Sequence, residues 1–386
     1  MVISYNPKRC YSSFRLVIFK MGGLVLSPPL TTKKHLIMSN KLCLVAVFSI
    51  ILIACENVNK DRVVVFKESP NKTIIVKDQI VEIQTDMLLG FGEFCIIDSF
   101  LVFNEYGSKE SKGIHLFNKN TFDYITSTGY LGRGPGEIIG LGSNGVSPDQ
   151  SVLWVDDHGN QVRWKFPLDS ILGNENFLPQ EKIAMNPDFF LKEYEFLNDT
   201  TVLGIAVIPL SVSSMKMATA KSNFSTGTTE KFGYKHPDIK DRYETYAYFK
   251  LSVKHNIYVN CFERIDLMTI CDLEGNLVKN IYGEHKNTTN VNFLTCYFKG
   301  VDIYKDFILV SYLGKRELIK EEGKAPEFFA PTRLLVFDVT GNFVKSIEIG
   351  YQFTSFCVDE DNNRVIMYFN DRDNPLGYFC LESVDL

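Results

Sequence analysis

One device recurs six times along this chain. An apolar stretch runs into a short polar turn and out into a second apolar stretch, at Asp98-Ser99, Asp149-Gln150, Asp199-Thr200, His255-Asn256, Lys305-Asp306 and Asn362-Asn363. Taken through Ser99, Gln150, Asp199, Asn256, Asp306 and Asn363, the intervals are 51, 49, 57, 50 and 57 residues. Self-similarity at this period marks radially stacked four-stranded sheets, because one such unit cannot bury its faces alone. The 30 Phe and 18 Tyr of the chain suit such sheets, since aromatic and β-branched side chains fit half-buried pleated surfaces. The pattern predicts an all-β fold, a six-bladed β-propeller.

The blades are expected at residues 93–126, 145–185, 190–234, 247–282, 295–349 and 355–381, the last with three strands instead of four. Turns between third and fourth strands carry their own chemistry. Asn118-Lys119-Asn120, Glu274-Gly275-Asn276 and Thr340-Gly341-Asn342 place Asn or Gly where a hairpin needs positive φ. Residues 62–67 and 73–83 read as strands without a blade of their own. An N-terminal strand is therefore expected to close the ring, which removes an open edge.

A leader precedes the repeats. Lys41, the apolar run Leu42 to Ile53, and Ala54-Cys55 have the order of a secretory signal peptide. The run is too short to cross a bilayer, which takes about 20 residues. Leu52-Ile53-Ala54-Cys55 resembles the bacterial lipobox. That resemblance implies a lipidated Cys55 as the mature N-terminus. Residues 1–37 fit no signal peptide and read as a mis-called extension; a transit peptide is the rival reading. The expected organisation is then 1–37 extension, 38–54 signal peptide, 55–61 tether and 62–386 propeller.

Charge excludes one class of partner. The chain has 41 Lys+Arg and 46 Asp+Glu, and residues 1–54 hold seven of the basic residues and no acidic ones. The remainder therefore carries 34 against 46, a net charge of −12. Such a protein gains nothing from counterion release on a polyphosphate, so nucleic acid is not an expected partner. The six cysteines beyond Cys55 lie in apolar runs without C-x-x-C or Cys/His metal spacing, so mostly free thiols are expected.

Gly129-Tyr130-Leu131-Gly132-Arg133-Gly134-Pro135-Gly136-Glu137 precedes Gly145-Val146-Ser147-Pro148-Asp149, Leu153-Trp154-Val155-Asp156-Asp157 and Asn160-Gln161-Val162-Arg163. This succession resembles an NHL repeat. It is also similar to the six-bladed, TolB-like propeller lipoproteins of Bacteroidetes. The resemblance implies an envelope protein tethered by lipid, at the outer membrane, and leaves activity open.

Residues that could carry chemistry are few. Gly132–Gly136 lacks the Lys-Ser/Thr and following helix of a phosphate loop, and reads as a connection between blades. Arg133 and Glu137 are expected on the face shared by fourth-to-first and second-to-third strand loops. Lys315, Arg316 and Phe328 lie in an insertion ending near Pro331, expected on the same face as a solvated loop with one helical turn, a lid or a partner contact. Asp156-Asp157-His158 reads as a turn with solvated charges, because neighbours on a strand alternate sides. Trp154, Trp164 and Phe166 could stack on sugar or pack between blades. No His pair has zinc spacing and no Gly-x-Ser-x-Gly occurs.

Two functions fit. One is a binding module for a protein, peptide or glycan, with no cofactor. The other is a metal-dependent, lactonase- or lyase-like enzyme with its site in the central channel.

Overall fold

The computed structural model describes residues 62–386, except 109, 212–213, 238, 240–245, 286–291, 293, 321–322 and 324. The expectations for residues 1–61, Cys55 among them, lie outside the described residues.

Six antiparallel sheets follow one another in chain order. Blade one is Gly92–Ile97, Phe100–Glu105, Lys112–Asn118 and Tyr124–Tyr130. Blade two is Leu141–Val146, Val152–Asp157, Val162–Pro167 and Lys182–Ala184. Blade three is Phe190–Phe196, Thr201–Ser211, Ser214–Asn223 and Thr228–Lys231. Blade four is Ala247–Ser252, Ile257–Phe262, Leu267–Asp272 and Leu277–Tyr282. Blade five is Thr295–Tyr304, Phe307–Arg316, Arg333–Asp338 and Phe343–Glu348. Blade six takes Phe353–Asp359, Arg364–Phe369 and Leu376–Cys380 from its own stretch. First strands contact first strands around a closed ring, so they form the inner wall.

Position in the blade explains the residue pattern. Blades stack face to face, so a second strand is buried on both sides and reads as a continuous apolar run, as in Ile257–Phe262. An inner strand is covered unevenly and alternates, as in Phe353–Asp359. Six hydrophobic clusters fill the six gaps between blades, one per gap. In the gap between blades four and five, Met268 and Ile270 meet Phe298 and Phe337, all at zero exposure.

The recurring turns join inner to second strands. Asp98, Gln150, Asn256, Lys305 and Asn363 there have φ between 48° and 58°. Blade three departs: Asn198 caps its turn, accepting the N–H of Thr200 and Thr201. Third-to-fourth turns repeat too. Asp272 and Asp338 accept the N–H of Asn276 and Asn342, with Gly275 and Gly341 at φ +90° and +86°. In blade one Asn118 replaces the aspartate, and Phe122 takes the left-handed position at φ 65°.

The N-terminal segment closes the ring and does more. Val81–Glu82 pairs with Gly377 and Tyr378 as the fourth strand of blade six. Ahead of it, Thr73–Ile75 adds a parallel fifth strand to blade five, and Val63–Val65 does the same for blade four. The expected strand over 73–83 is broken by a 3-10 turn at Lys77–Gln79. One strap thus covers the outer edges of three successive blades.

Candidate functional site

The two faces of the ring differ. The lower face carries the inner-to-second and third-to-fourth turns, which are short except for the helix-bearing connection 168–181 of blade two, and several of which bond to one another. The Asp98 N–H reaches Gln150 Oε1 at 3.1 Å, His255 Nε2 donates to the Lys305 carbonyl at 2.7 Å, and Asn362 Nδ2 donates to Asn120 Oδ1 at 2.8 Å. The upper face carries the long connections. Leu88, Phe91, Leu210, Leu294 and Phe328 lie exposed on them, Leu88 at 98% and Phe328 at 67%. Solvating such side chains costs free energy that a partner would recover.

The glycine-rich connection sits on this face. Glu137 accepts the Gly134 N–H at 2.6 Å, and its backbone N–H bonds the Gly134 carbonyl at 3.1 Å. Glu137 therefore orders the loop, and Arg133 stands exposed at its tip. The insertion after blade five's second strand is a β-hairpin, Leu318–Ile319 with Glu327–Phe328, instead of the expected helical turn. β-branched and aromatic residues at its paired positions favour the extended form. Lys315 Nζ lies 4.2 Å from the Phe329 ring centre, and Arg316 is exposed.

At the root of this hairpin Glu317 bridges Arg264 at 2.9 Å and Lys299 at 2.6 Å, and Glu263 meets the same two cations at 3.1 and 2.9 Å. Donor atoms of Glu263, Cys296 and Glu317 lie within 4.8 Å of one another, close enough to share a metal ion. The donor set fits a metal poorly. Two cations already balance the two carboxylates, so an ion would have to displace them. Burial pushes the Cys296 thiol up to about 12, away from the thiolate a metal needs. Burial also opposes ionisation of Glu317, but its bonds to Lys299 and Arg264 prevail and hold it below its usual range.

The axial wall is polar. An inner strand leaves backbone N–H groups unpaired, and carboxylates reach across from the preceding blade to take them. Glu193 accepts the Phe249 N–H at 3.0 Å, Glu195 the Leu251 N–H at 2.8 Å, and Asp302 the Val358 N–H at 2.8 Å. Lys250 Nζ lies between Glu195 and Asp302, at 2.6 and 3.0 Å. Burial works against its charge, but the two carboxylates hold its pKa above the usual lysine range.

Nearer the upper mouth, Tyr106 donates to Glu93 at 2.9 Å and Tyr246 to Glu193 at 2.5 Å. The Tyr246 and Tyr248 rings meet edge to face, 4.7 Å apart. Burial pushes Glu193 up to about 7 from 4.5, against the bonds from Tyr246 and Phe249. The folded state thus keeps a proton that the unfolded chain releases at lower pH. The resulting stabilisation is full below pH 4.5 and lost as pH rises through 7, at most about 3 kcal/mol. Denaturation of Glu193→Gln should show a flatter stability profile than wild type across that window. Parallel profiles would contradict the assignment.

One sequence reading changes, and one pair of alternatives is decided. Asp156 and Asp157 are buried at zero exposure, not solvated. Asp156 holds the Arg163 guanidinium through Nε at 2.5 Å and Nη2 at 3.1 Å. Asp157 accepts the N–H groups of Gly140, Gly159 and Asn160. Both are structural, and His158 packs on Phe190. Trp154 meets Phe224 edge to face at 5.5 Å and Trp164 is 6% exposed, so both pack between strands and offer no free platform.

One network was not legible in the sequence. His115 lies between Ser127 Oγ at 2.8 Å and Glu105 Oε2 at 3.1 Å, and Ser127 also meets the Tyr124 hydroxyl at 2.9 Å. This has the order of a nucleophilic triad. Yet all three members are buried, and Glu105's second oxygen takes the Gly90 N–H at 2.6 Å. It ties three strands of blade one to the strap's exit. Only strand register, His115 opposite Ser127, brings it together.

No protein-family model matches the chain, and no curated protein matches its sequence. Solved structures match it in fold. A member of the DUF4221 family from Bacteroides vulgatus is 11% identical over 79% of this chain and 98% of that one, with a TM-score of 0.54. A protein described as exported, from Bacteroides fragilis, is 14% identical over 82% and 98%, with a TM-score of 0.51. At these identities the likeness extends to the fold and no further.

Proposed function

We infer that this protein is an exported, lipid-anchored binding module that engages a protein or peptide through its upper face. The observation that carries the reading is the asymmetry of the ring. Most lower-face turns are short and bonded to one another, while Leu88, Phe91, Leu294 and Phe328, and separately Arg133, stand exposed on upper connections. A rigid scaffold presenting apolar anchors and a planar guanidinium on one face suits protein recognition. The packed Trp154 and Trp164 favour a polypeptide over a glycan. A metal-dependent enzyme would draw on Glu263, Cys296 and Glu317, whose charges Arg264 and Lys299 already balance.

Affinity capture from envelope extracts tests the face. Wild type and the lower-face variant Glu274→Arg should retain the same partner, and Arg133→Ala with Phe328→Asp should lose it while melting at the same temperature. Retention by the upper-face variant would move the site elsewhere. Turnover of a substrate by the metal-loaded protein would replace the reading with the enzyme one.

Export and anchoring rest on Leu52-Ile53-Ala54-Cys55 and the apolar run before it. Labelling cells with a palmitate analogue should mark the wild type and spare Cys55→Ala. Equal labelling of both would remove the anchor from the account. No helix among the described residues is long and apolar enough to cross a membrane.

A further inference from the structure

We propose that the upper mouth of the axial channel receives a basic group from the partner: a lysine ammonium, an arginine guanidinium or a chain N-terminus. Glu93 and Glu193 would hold the charge, Tyr106, Tyr246 and Tyr248 would wall it, and Asn144 would floor it. The proposal rests on the upper face being the binding face, and deepens that reading to a ligand chemistry.

Charge is the first argument. Neither Glu93 nor Glu193 has an ion-pair partner among the described residues. Their neighbour Lys192 is not paired with them; its ammonium sits 3.7 Å from the centre of the Tyr246 ring. The adjacent network differs, since Glu263 and Glu317 are matched by Arg264 and Lys299. Among the described residues, then, no cation bonds either carboxylate, and Lys192 acts on Glu193 only from a distance. Glu93 is exposed and Glu193 half-buried, so a ligand cation would meet one carboxylate in water and favour loss of the proton that burial leaves on the other up to about pH 7.

Ring faces are the second argument. Tyr106 and Tyr246 donate their hydroxyls to the two carboxylates, which fixes their rings beside the charge. Tyrosine faces attract cations through the ring quadrupole. The chain already uses one of them in this way, through Lys192.

The third argument is independent of both. Asn144, on the inner strand of blade two, has both side-chain polar atoms buried, with only the weakly bonding Cys95 thiol to meet them. It lies beside Cys95, which shares a side of its strand with Glu93 two residues away, about 7 Å along the wall. Buried amides are almost always well hydrogen-bonded, so one that meets only a thiol keeps capacity for a visiting donor. An extended lysine side chain entering past Glu93 would offer that donor.

Calorimetric titration with N-acetyl-lysine methylamide and its uncharged isostere, N-acetyl-norleucine methylamide, tests this on the full mature protein. The lysine probe should bind at least about tenfold more tightly than the isostere. Glu93→Gln and Asn144→Leu should each abolish most of that preference. Neither substitution removes a group that the core depends on, so unchanged thermal unfolding is expected for both. Absence of lysine-probe binding, equal binding of both probes, or a preference unchanged in both variants would overturn the proposal. A captured partner that is lost with Phe328→Asp but indifferent to Glu93→Gln would likewise overturn it, and would leave the upper-face reading standing.

Discussion

Removal of residues 62–84 is expected to leave a ring that neither unfolds as one unit nor stays monomeric. The strap supplies Val63–Val65 to blade four, Thr73–Ile75 to blade five and Val81–Glu82 to blade six. Three of its side chains, Phe66, Val76 and Ile83, are buried in the gaps behind those edges, at 3%, 0% and 3% exposure. Burying each contributes about 1.5–3 kcal/mol, so the three together reach about 5–9 kcal/mol. That rivals the whole net stability of an ordinary domain, about 5–15 kcal/mol. Loss of the strap also bares three strand edges, which template pairing between chains. Size-exclusion chromatography and calorimetry should show aggregates and a broad, weakened transition. A soluble monomer with the wild-type melting curve would mean that the ring closes without its strap.

The second large effect is expected at Arg163. Its guanidinium is 6% exposed, binds Asp156 through two nitrogens, and lies between the rings of Tyr194 and Phe224 at 4.3 and 4.5 Å. Arg163→Met would leave the fully buried Asp156 carboxylate with only the Tyr194 hydroxyl at 3.3 Å. Breaking a buried pair in this way costs about 3–5 kcal/mol, because the remaining charge stays desolvated. Adding Asp156→Leu to the same chain should recover much of the loss, since two apolar residues need no partner. Denaturant titration of the two single variants and the double variant measures this. A single-variant cost below about 1 kcal/mol would show that the carboxylate finds water or another donor.

The ring was legible because local chemistry repeats. Each inner-to-second turn needs a residue that tolerates positive φ, and Asp98, Gln150, Asn256, Lys305 and Asn363 announce it between apolar strands. The insertion at Lys315–Pro331 joins the second and third strands of blade five, as connectivity alone had placed it. Its internal structure was not, because two-residue strands such as Leu318–Ile319 leave too short a period to read. Asp156 and Asp157 looked solvated because two adjacent acids in a turn usually are; Arg163 and the N–H groups that bury them lie on other strands and loops. The mouth was hidden for the same reason. Glu93, Asn144, Glu193 and Tyr248 are separated by about fifty residues each, and only closure of the ring sets them around one axis. Arg133 and Glu137 were read together, yet the structure divides them: Glu137 orders the loop and Arg133 is presented by it.

Hydrogen exchange on the protein bound to its captured partner tests the central claim most directly. Backbone amides in residues 86–92, 131–140 and 315–331 should slow on binding, and those in the lower turns, such as 272–276 and 338–342, should not change. Protection confined to the lower turns, or to the strap over 62–84, would contradict a binding module that works through its upper face.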